Sequence, residues 1–322
     1  MIVITGALGF IGSCLVRKLN DVGHLKDIIV VDDFYKDYKE PNLHHKFIRD
    51  WIHRDLFLDY FAKRHSQIEF VFHLGARTDT TETDKAVFQK LNLNYSKAIW
   101  NICAQQGIPL IYASSAATYG NGAKGYLDTH DLVHELRPLN AYGQSKNDFD
   151  QWVLQQEESP PFWAGLKFFN VYGPNEYHKN RMASVIYHTV QQIQETGKMQ
   201  LFRSHKKGIA DGEQKRDFVY IKDVVDICHF LFKKQPESGL YNVGTGQARS
   251  FFDLATYTFE AIGRQANIEF IDMPKDIRKN YQYFTEADMG KLQRVGYKKG
   301  LYSLEKGIGD YVKKYLKDKV IW

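Results

Sequence analysis

The chain has 322 residues, 43% of them hydrophobic and 25% charged, with a formal net charge of +5. This is enough apolar chain to bury a large core in one large domain or two smaller ones. The basic residues are scattered and interrupted by acidic ones, as in KKYLKDK at 313–319, which argues against nucleic acid and for a solvated surface that could still suit a small anionic ligand.

Cys14, Cys103 and Cys228 show no paired spacing, so neither a disulfide framework nor a metal site is expected. No apolar stretch approaches 18 residues and the first residues already read as a strand. The expectation is a soluble cytoplasmic protein with no membrane partner.

In chain order, short apolar runs rich in β-branched and aromatic residues alternate with helix-like stretches. MIVIT (1–5), DIIVVDD (27–33), FVFHLGA (70–76), PLIYASS (109–115) and GLKFFNVYG (165–173) read as buried strands. GSCLVRKLNDVG (12–23) and NLNYSKAIWNICAQQG (92–107) carry apolar residues at helical spacing. This alternation predicts an α/β fold of Rossmann type: a doubly wound parallel sheet with helices on both faces. Beyond about residue 174 polar loops such as FRSHKKGIADGEQKRD (202–217) appear, followed by a helix and strand within 218–246. The expected division is a dinucleotide-binding domain over 1–172, with 218–246 returning to it. A smaller α/β substrate lobe would then comprise 173–217 and 247–322.

ITGALGFIGS (4–13) places Gly6, Gly9 and Gly12 between the first strand and the first helix. Glycines here let the backbone approach a pyrophosphate, and the helix start offers unpaired N–H groups to it. The acidic residues closing the second strand, Asp32 and Asp33, are placed to meet an adenosine ribose, which favours NAD. Lys39 and Arg54 lie nearby in sequence and could meet a 2′-phosphate, so the residues alone leave NAD and NADP open.

AYGQSK (141–146) sets Tyr142 and Lys146 one helical turn apart on a shared face. A tyrosine with a pKa near 10 is a poor base at neutral pH; lowering it by about 3 units takes roughly 4 kcal/mol of favourable interaction with positive groups. The same spacing recurs at Tyr35/Lys39, Tyr302/Lys306 and Tyr315/Lys319. Context singles out Tyr142, because Ser115 ends the preceding strand at the sheet edge where α/β sites form and can bond a substrate oxygen.

Together Gly6-x-x-Gly9-x-x-Gly12, Ser115 and Tyr142-x-x-x-Lys146 resemble the extended short-chain dehydrogenase/reductase superfamily over the whole chain. Its nucleotide-sugar 4,6-dehydratases carry an Asp-Glu pair where this chain has Ala116 and Ala117, so dehydration is not expected. Longer segments are similar to the ADP-glyceromanno-heptose 6-epimerase family: GARTDTTETD (75–84), YASSAATYG (112–120), FFNVYGPNEYHK (168–179), MASVIYH (182–188), KRDFVYIKDV (215–224) and YQYFTEADM (281–289).

That resemblance implies an isomerase that oxidises C6 of ADP-D-glycero-D-manno-heptose to a transient ketone and re-reduces it from the other face, supplying lipopolysaccharide precursors. It implies NADP rather than NAD, and a homo-oligomer, often a pentamer. Tyr142 and Lys179 would serve the two faces, with Ser115 and Lys146 assisting. Phe10 and Ile11 would flank the pyrophosphate. Asp32, Asp33, Lys39 and Arg54 would surround the adenosine end. Leu74, Gly75, Ala76, Arg77 and Thr78 would line the cofactor with Asn92 behind them, and Val171 would touch the nicotinamide. Asn170, Arg181, His188, Phe202 and Tyr281 would face the substrate and Arg216 its diphosphate. The loop 203–214 looks longer than in those relatives. Two other readings fit the same motifs: another nucleotide-sugar epimerase of the UDP-hexose 4-epimerase type, and a non-catalytic NADP(H)-binding sensor.

Overall fold

The computed structural model describes residues 1–35, 37–80, 82, 84–278 and 281–322; Thr81 and Thr83 of the 75–84 segment lie outside them. The first half runs β1 (Ile2–Thr5), α1 (Phe10–Asp21), β2 (Ile28–Asp32), β3 (Asp50–His53), α2 (Arg54–Arg64) and β4 (Phe70–His73). It continues through α3 (Lys85–Phe88), a π-helical turn (Gln89–Asn94), α4 (Tyr95–Gln106), β5 (Leu110–Ser115) and α5 (Ala141–Val153). After these come β6 (Trp163–Phe168), β7 (Asn170–Tyr172), α6 (Val185–Thr196), β8 (Met199–Phe202), β9 (Lys215–Tyr220) and α7 (Ile221–Lys234). The last elements used below are β10 (Gly239–Val243), β11 (Ala248–Ser250), α8 (Phe251–Ile262) and β12 (Ile268–Ile271).

Seven strands form one parallel sheet in the order β10-β6-β5-β4-β1-β2-β3. The strands are apolar on both faces because helices cover both. Ile2, Ile4, Ile28, Val30, Phe70 and Phe72 point into one core, with Cys14, Leu15, Val16 and Leu19 of α1 and Val224, Ile227 and Leu231 of α7. Their neighbours Val3, Ile29, Val31 and Val71 point into the other, with Phe57 and Phe61 of α2, Ile99 and Trp100 of α4, and Phe149 of α5. That alternation is the two-residue period of a strand with no solvent face. β3 carries only one fully buried residue, Ile52, and so gave no apolar run to read.

GLKFFNVYG, expected as a single strand, is two. The Phe169 N–H donates to the Val243 carbonyl and the Val171 N–H to the Phe169 carbonyl, turning the chain at Phe169. β7 therefore leaves the main sheet and pairs in parallel with β9, Asn170 opposite Phe218. β9 in turn pairs antiparallel with β11, making a small three-stranded sheet. Within 218–246, α7 and β10 pack with the main sheet, whereas residues 218–220 belong to β9. A further two-stranded sheet, β8 with β12, packs Met199 and Leu201 against Ile193 of α6 and Ala255 and Phe259 of α8.

β1 and β4 are adjacent, and chain progression reverses between them. Ligands of open α/β sheets sit beyond the carboxyl ends of strands at such a reversal. No helix among the described residues is long and apolar enough to cross a membrane.

Candidate active site

The turn from β1 into α1 is built so that backbone alone lines it. Gly6 has φ +70°, and a side chain there would lie 2.6 Å from the Gly75 backbone. A Cβ on Gly12 would lie 2.2 Å from the Gly6 carbonyl oxygen. Gly9 caps α1 without any side-chain hydrogen bond, leaving the first N–H groups of the helix unclaimed by a capping side chain. Asp32 shapes the same turn: its carboxylate accepts from the Leu8 N–H at 2.9 Å and from the Asp33 N–H at 2.8 Å.

A cleft of about 610 Å³ opens over this turn. Its wall includes Gly6, Gly9, Phe10, Ile11, Gly12, Asp32, Asp33, Lys39, Arg54, the run Leu74–Thr78 and Lys179, all singled out from sequence. Arg54 lies 3.2 Å from Asp33. The buried Nε atoms of Arg54 and Arg77 have no hydrogen-bond partner among the described residues. A backbone cradle that any Cβ would fill, with the Arg54 and Arg77 side chains in the same wall, fits an anionic dinucleotide.

Asn92, Tyr142, Lys146 and Val171 are not part of that wall. Asn92 is buried and turned toward the backbone of the 75–78 run. Its Oδ1 accepts from the Arg77 N–H at 2.7 Å, while Nδ2 donates to the Arg77 carbonyl at 3.0 Å and to Ser145 Oγ at 2.9 Å. The π-helical turn holds it there, inserted where helical periodicity predicts an unbroken helix. It thus ties the cleft floor to α5 rather than facing the cavity.

Further residues of this floor were not anticipated. Thr5 Oγ1 accepts from the Gly75 N–H at 3.1 Å and bonds His73 Nδ1 at 2.7 Å. His73 Nε2 bonds Ser96 Oγ at 2.8 Å, and Ser96 donates to the Asn92 carbonyl. Burial lowers the His73 pKa to about 3, so the ring is neutral at physiological pH. The only sequence signal was a polar side chain ending an otherwise apolar strand.

On α5 the Tyr142 phenol lies close enough to the Ser115 hydroxyl for that group to act on its pKa. Burial raises the Tyr142 pKa above the ordinary tyrosine value, the Ser115 hydroxyl opposes this, and the Asp150 carboxylate adds to it. The chain by itself therefore does not stabilise the phenolate that the Tyr-Lys spacing implied. Lys146 donates to the Ala113 carbonyl at 2.7 Å, and burial lowers its pKa to about 8 against the pull of Asp150. α5 is locked to the sheet by a fully buried ion pair, Lys167 Nζ to Asp150 Oδ2 at 2.7 Å; Ser114 and Tyr112 also donate to that carboxylate.

Lys179 enters from the other wall. It follows Glu176, whose carboxylate accepts from the Ser184 N–H and Oγ, each at 2.6 Å. The Lys179 ammonium lies 5.5 Å from the centre of the Phe10 ring. Burial lowers its pKa, and nearby Glu176 resists the shift.

The expected substrate residues fall into two groups. Arg216, Tyr281 and Phe202 come together: the Arg216 guanidinium lies 5.3 Å from the Tyr281 ring centre, and Tyr281 is edge-on to Phe202 at 6.4 Å. Arg216 is buried and also donates to the Gln282 carbonyl. Arg181 is 64% exposed and makes a two-pronged bond to Asp79 at 3.1 Å, linking the 177–182 segment to the cleft rim. Asn170 is exposed on β7, and His188 lies edge-on to Tyr187 on α6.

Residues 2–244 match the NAD dependent epimerase/dehydratase family. A Fusobacterium nucleatum protein described as ADP-L-glycero-D-manno-heptose-6-epimerase is 48% identical, over 98% of each chain. The chain belongs to this epimerase family. The epimerase also matches the solved ADP-L-glycero-D-manno-heptose-6-epimerase of Helicobacter pylori, with 30% identity, a TM-score of 0.80, and coverage of 97% of this chain and 94% of that one. A UDP-N-acetylglucosamine 4-epimerase from Methanobrevibacter ruminantium superposes equally well, TM-score 0.81, over 97% and 96% of the two chains. At 23% identity that likeness shows the fold alone. The enzyme class expected from the motifs, an isomerase, therefore stands, and a nicotinamide dinucleotide belongs with this family.

Proposed function

We propose that this epimerase inverts C6 of ADP-D-glycero-D-manno-heptose to give the L-glycero epimer, the sugar used in lipopolysaccharide precursors, with NADP as resident cofactor. The observation that carries the reading is a cleft with a backbone cradle for a dinucleotide and Lys179 in its wall. Ser115 ends β5 at its carboxyl edge with Tyr142 near it on α5, and the Lys179 ammonium stands over the Phe10 ring.

Gly6, Gly9, Phe10, Ile11 and Gly12 would hold the dinucleotide's pyrophosphate, and Asp32, Asp33, Lys39 and Arg54 its adenosine end. A bound nicotinamide supplies the acceptor and donor of the C6 hydrogen. Ser115 Oγ holds the C6 oxygen by hydrogen bonding, and Tyr142, close to the same hydroxyl, exchanges its proton with that oxygen. Lys146, held by the Ala113 carbonyl on the same helix face, would favour the phenolate only together with the positive charge of an oxidised nicotinamide. Lys179, whose burial makes its proton easier to release, serves the oxygen when the other face of C6 is presented. Arg216 would take the substrate diphosphate in a two-donor contact, with Tyr281 and Phe202 beside it. Asn170, Arg181 and His188 would complete the sugar's surroundings.

NADP is favoured over NAD because Lys39 and Arg54 both line the cleft. The division of labour follows the fold. Residues 1–172 with most of 218–246 would bind the dinucleotide, and 173–217 with 247–322 the sugar; identical copies would assemble into a ring.

The test is a substrate panel. ADP-D-glycero-D-manno-heptose and UDP-hexoses are incubated with the enzyme, and sugar stereochemistry is followed by NMR. Inversion at C6 of the ADP-heptose is expected. Inversion only at C4 of a UDP-hexose would move the assignment, and inversion of nothing would leave the binding-sensor reading. Mass measurement of the dinucleotide released on denaturation, expected to be NADP, checks the cofactor.

A further inference from the structure

Asn175 takes no part in the chemistry above, yet it is fully buried and adopts a left-handed backbone at φ +73°. Its side chain is committed to residues far away in sequence. Oδ1 accepts from the Trp322 N–H at 2.8 Å, and Nδ2 donates to the Trp322 main-chain oxygen at 3.0 Å. Nδ2 also donates to Ser13 Oγ at 3.0 Å, and Ser13 bonds the Phe10 carbonyl at 3.1 Å.

Residues 320–322 are wedged between α1 and the loop 173–179. The Tyr177 hydroxyl donates to the Val320 carbonyl at 2.8 Å, and Lys46 Nζ donates to the Trp322 main-chain oxygen at 2.7 Å. Asn42 Nδ2 bridges the Leu8 carbonyl at 2.9 Å and the Asn175 carbonyl at 3.2 Å. The loop is thus held from two sides, and on the α1 side Asn175 acts together with Asn42 and with Cys14, whose thiol donates to the Pro174 carbonyl at 3.5 Å. Glu176 ties it through Ser184 to α6, within its own lobe. Asn175 ties it through Trp322 and Ser13 to the helix that begins at the glycine turn.

We propose that Asn175 is a positioning residue: by its paired bonds to Trp322 and its bond to Ser13 it fixes the loop 173–179 against the first turn of α1, and so sets where Lys179 stands over Phe10. Lys179 lies four residues beyond Asn175, and its N–H donates to the Glu176 carbonyl at 2.9 Å. Without the Asn175 side chain three hydrogen bonds on the α1 side are lost, and the loop shifts relative to the glycine turn. Misplacement of a proton-transfer group by about 1 Å costs on the order of 100-fold in rate. The inference rests on the reading of Lys179 as the second proton-transfer group.

Two variants test it. Asn175→Gly removes the side chain while tolerating the left-handed backbone. Trp322→Pro removes the N–H on the other side of the same bond. The first readout is hydrogen exchange, expected to quicken in peptides covering 173–182 and not in the glycine turn. The second is single-turnover oxidation started separately from each C6 epimer. One epimer should slow by roughly 10- to 100-fold while the other keeps its wild-type rate, because only one face depends on Lys179. Equal slowing of both epimers would make Asn175 merely structural and overturn the inference, as would wild-type exchange and rates in both variants. If the wild-type enzyme interconverts the epimers and Lys179→Ala stops it while Asn175→Gly keeps the wild-type rate from both epimers, the positioning inference alone fails. If the wild-type enzyme inverts no C6 centre, the functional reading falls and this inference with it.

Discussion

The two walls of the cleft are built in opposite ways. The glycine-turn wall draws its working atoms from Gly6 to Gly12 and Leu74 to Thr78, two short runs at the ends of adjacent strands β1 and β4. Its shape is set by backbone and by a hydrogen-bonded floor of Thr5, His73, Ser96 and Asn92. The facing wall, residues 173–182, has no regular element longer than six residues and takes its shape from Ser13, Asn42, Asp79, Ser184 and Trp322. One wall is local and rigid; the other is assembled from distant parts of the chain. The proposed chemistry, which must reach two faces of one carbon, suits this arrangement, because its two groups would stand on separate supports.

The comparison breaks most sharply at the two groups proposed to transfer protons, Tyr142 and Lys179. Tyr142→Phe should cut turnover by about 10²- to 10⁴-fold. The glycine turn is untouched, so the dinucleotide should still appear by mass in the denatured protein. Lys179→Ala, on the facing wall, should lose turnover over the same range while keeping the Tyr142 side intact. Retention of full activity by either variant would remove that residue from the reaction.

A smaller effect is expected at the rigid wall. Gly12→Ala puts a methyl group against the Gly6 carbonyl. Relief of that overlap should cost about 1–3 kcal/mol of stability and loosen dinucleotide binding, measured by denaturant unfolding and by titration.

The floor should also show in acid. Folded His73 stays neutral down to about pH 3, whereas an unfolded histidine gains its proton near pH 6.5. Between those values the unfolded state binds the extra proton, so stability falls as pH drops through 6.5 and the full cost is reached near pH 3. From pH 6.5 to 5 this single group should remove roughly 2 kcal/mol. His73→Gln should flatten that part of the stability–pH curve.

The smallest effect belongs to the rim. Arg181→Ala breaks an exposed ion pair with Asp79 and should change stability by less than about 1 kcal/mol.

The legibility of each wall in the sequence follows its construction. The parallel sheet, the glycine turn, Asp32, Ser115 and the Tyr142–Lys146 pair could be read because strand period, turn chemistry and helical spacing are local rules. β3 escaped because an edge strand with one buried residue leaves no apolar run. The break at Phe169 escaped because it is imposed by Val243, some seventy residues away. Asn92 was found, but its orientation depends on a π-helical turn that no periodicity announces. His73 and Asn175 are polar residues whose partners come from other elements, Thr5 and Ser96 for one and Ser13 and Trp322 for the other. Spacing alone also implied a phenol made acidic by Lys146, whereas burial of Tyr142 pulls the other way.

The central claim is that the C6 hydrogen leaves one face of the sugar and the same hydrogen returns to the other without passing through solvent. Epimerisation of the ADP-heptose in D2O, followed by NMR of the product, tests it most directly. The account predicts an inverted C6 that still carries protium; deuterium at C6 of the inverted product would contradict it.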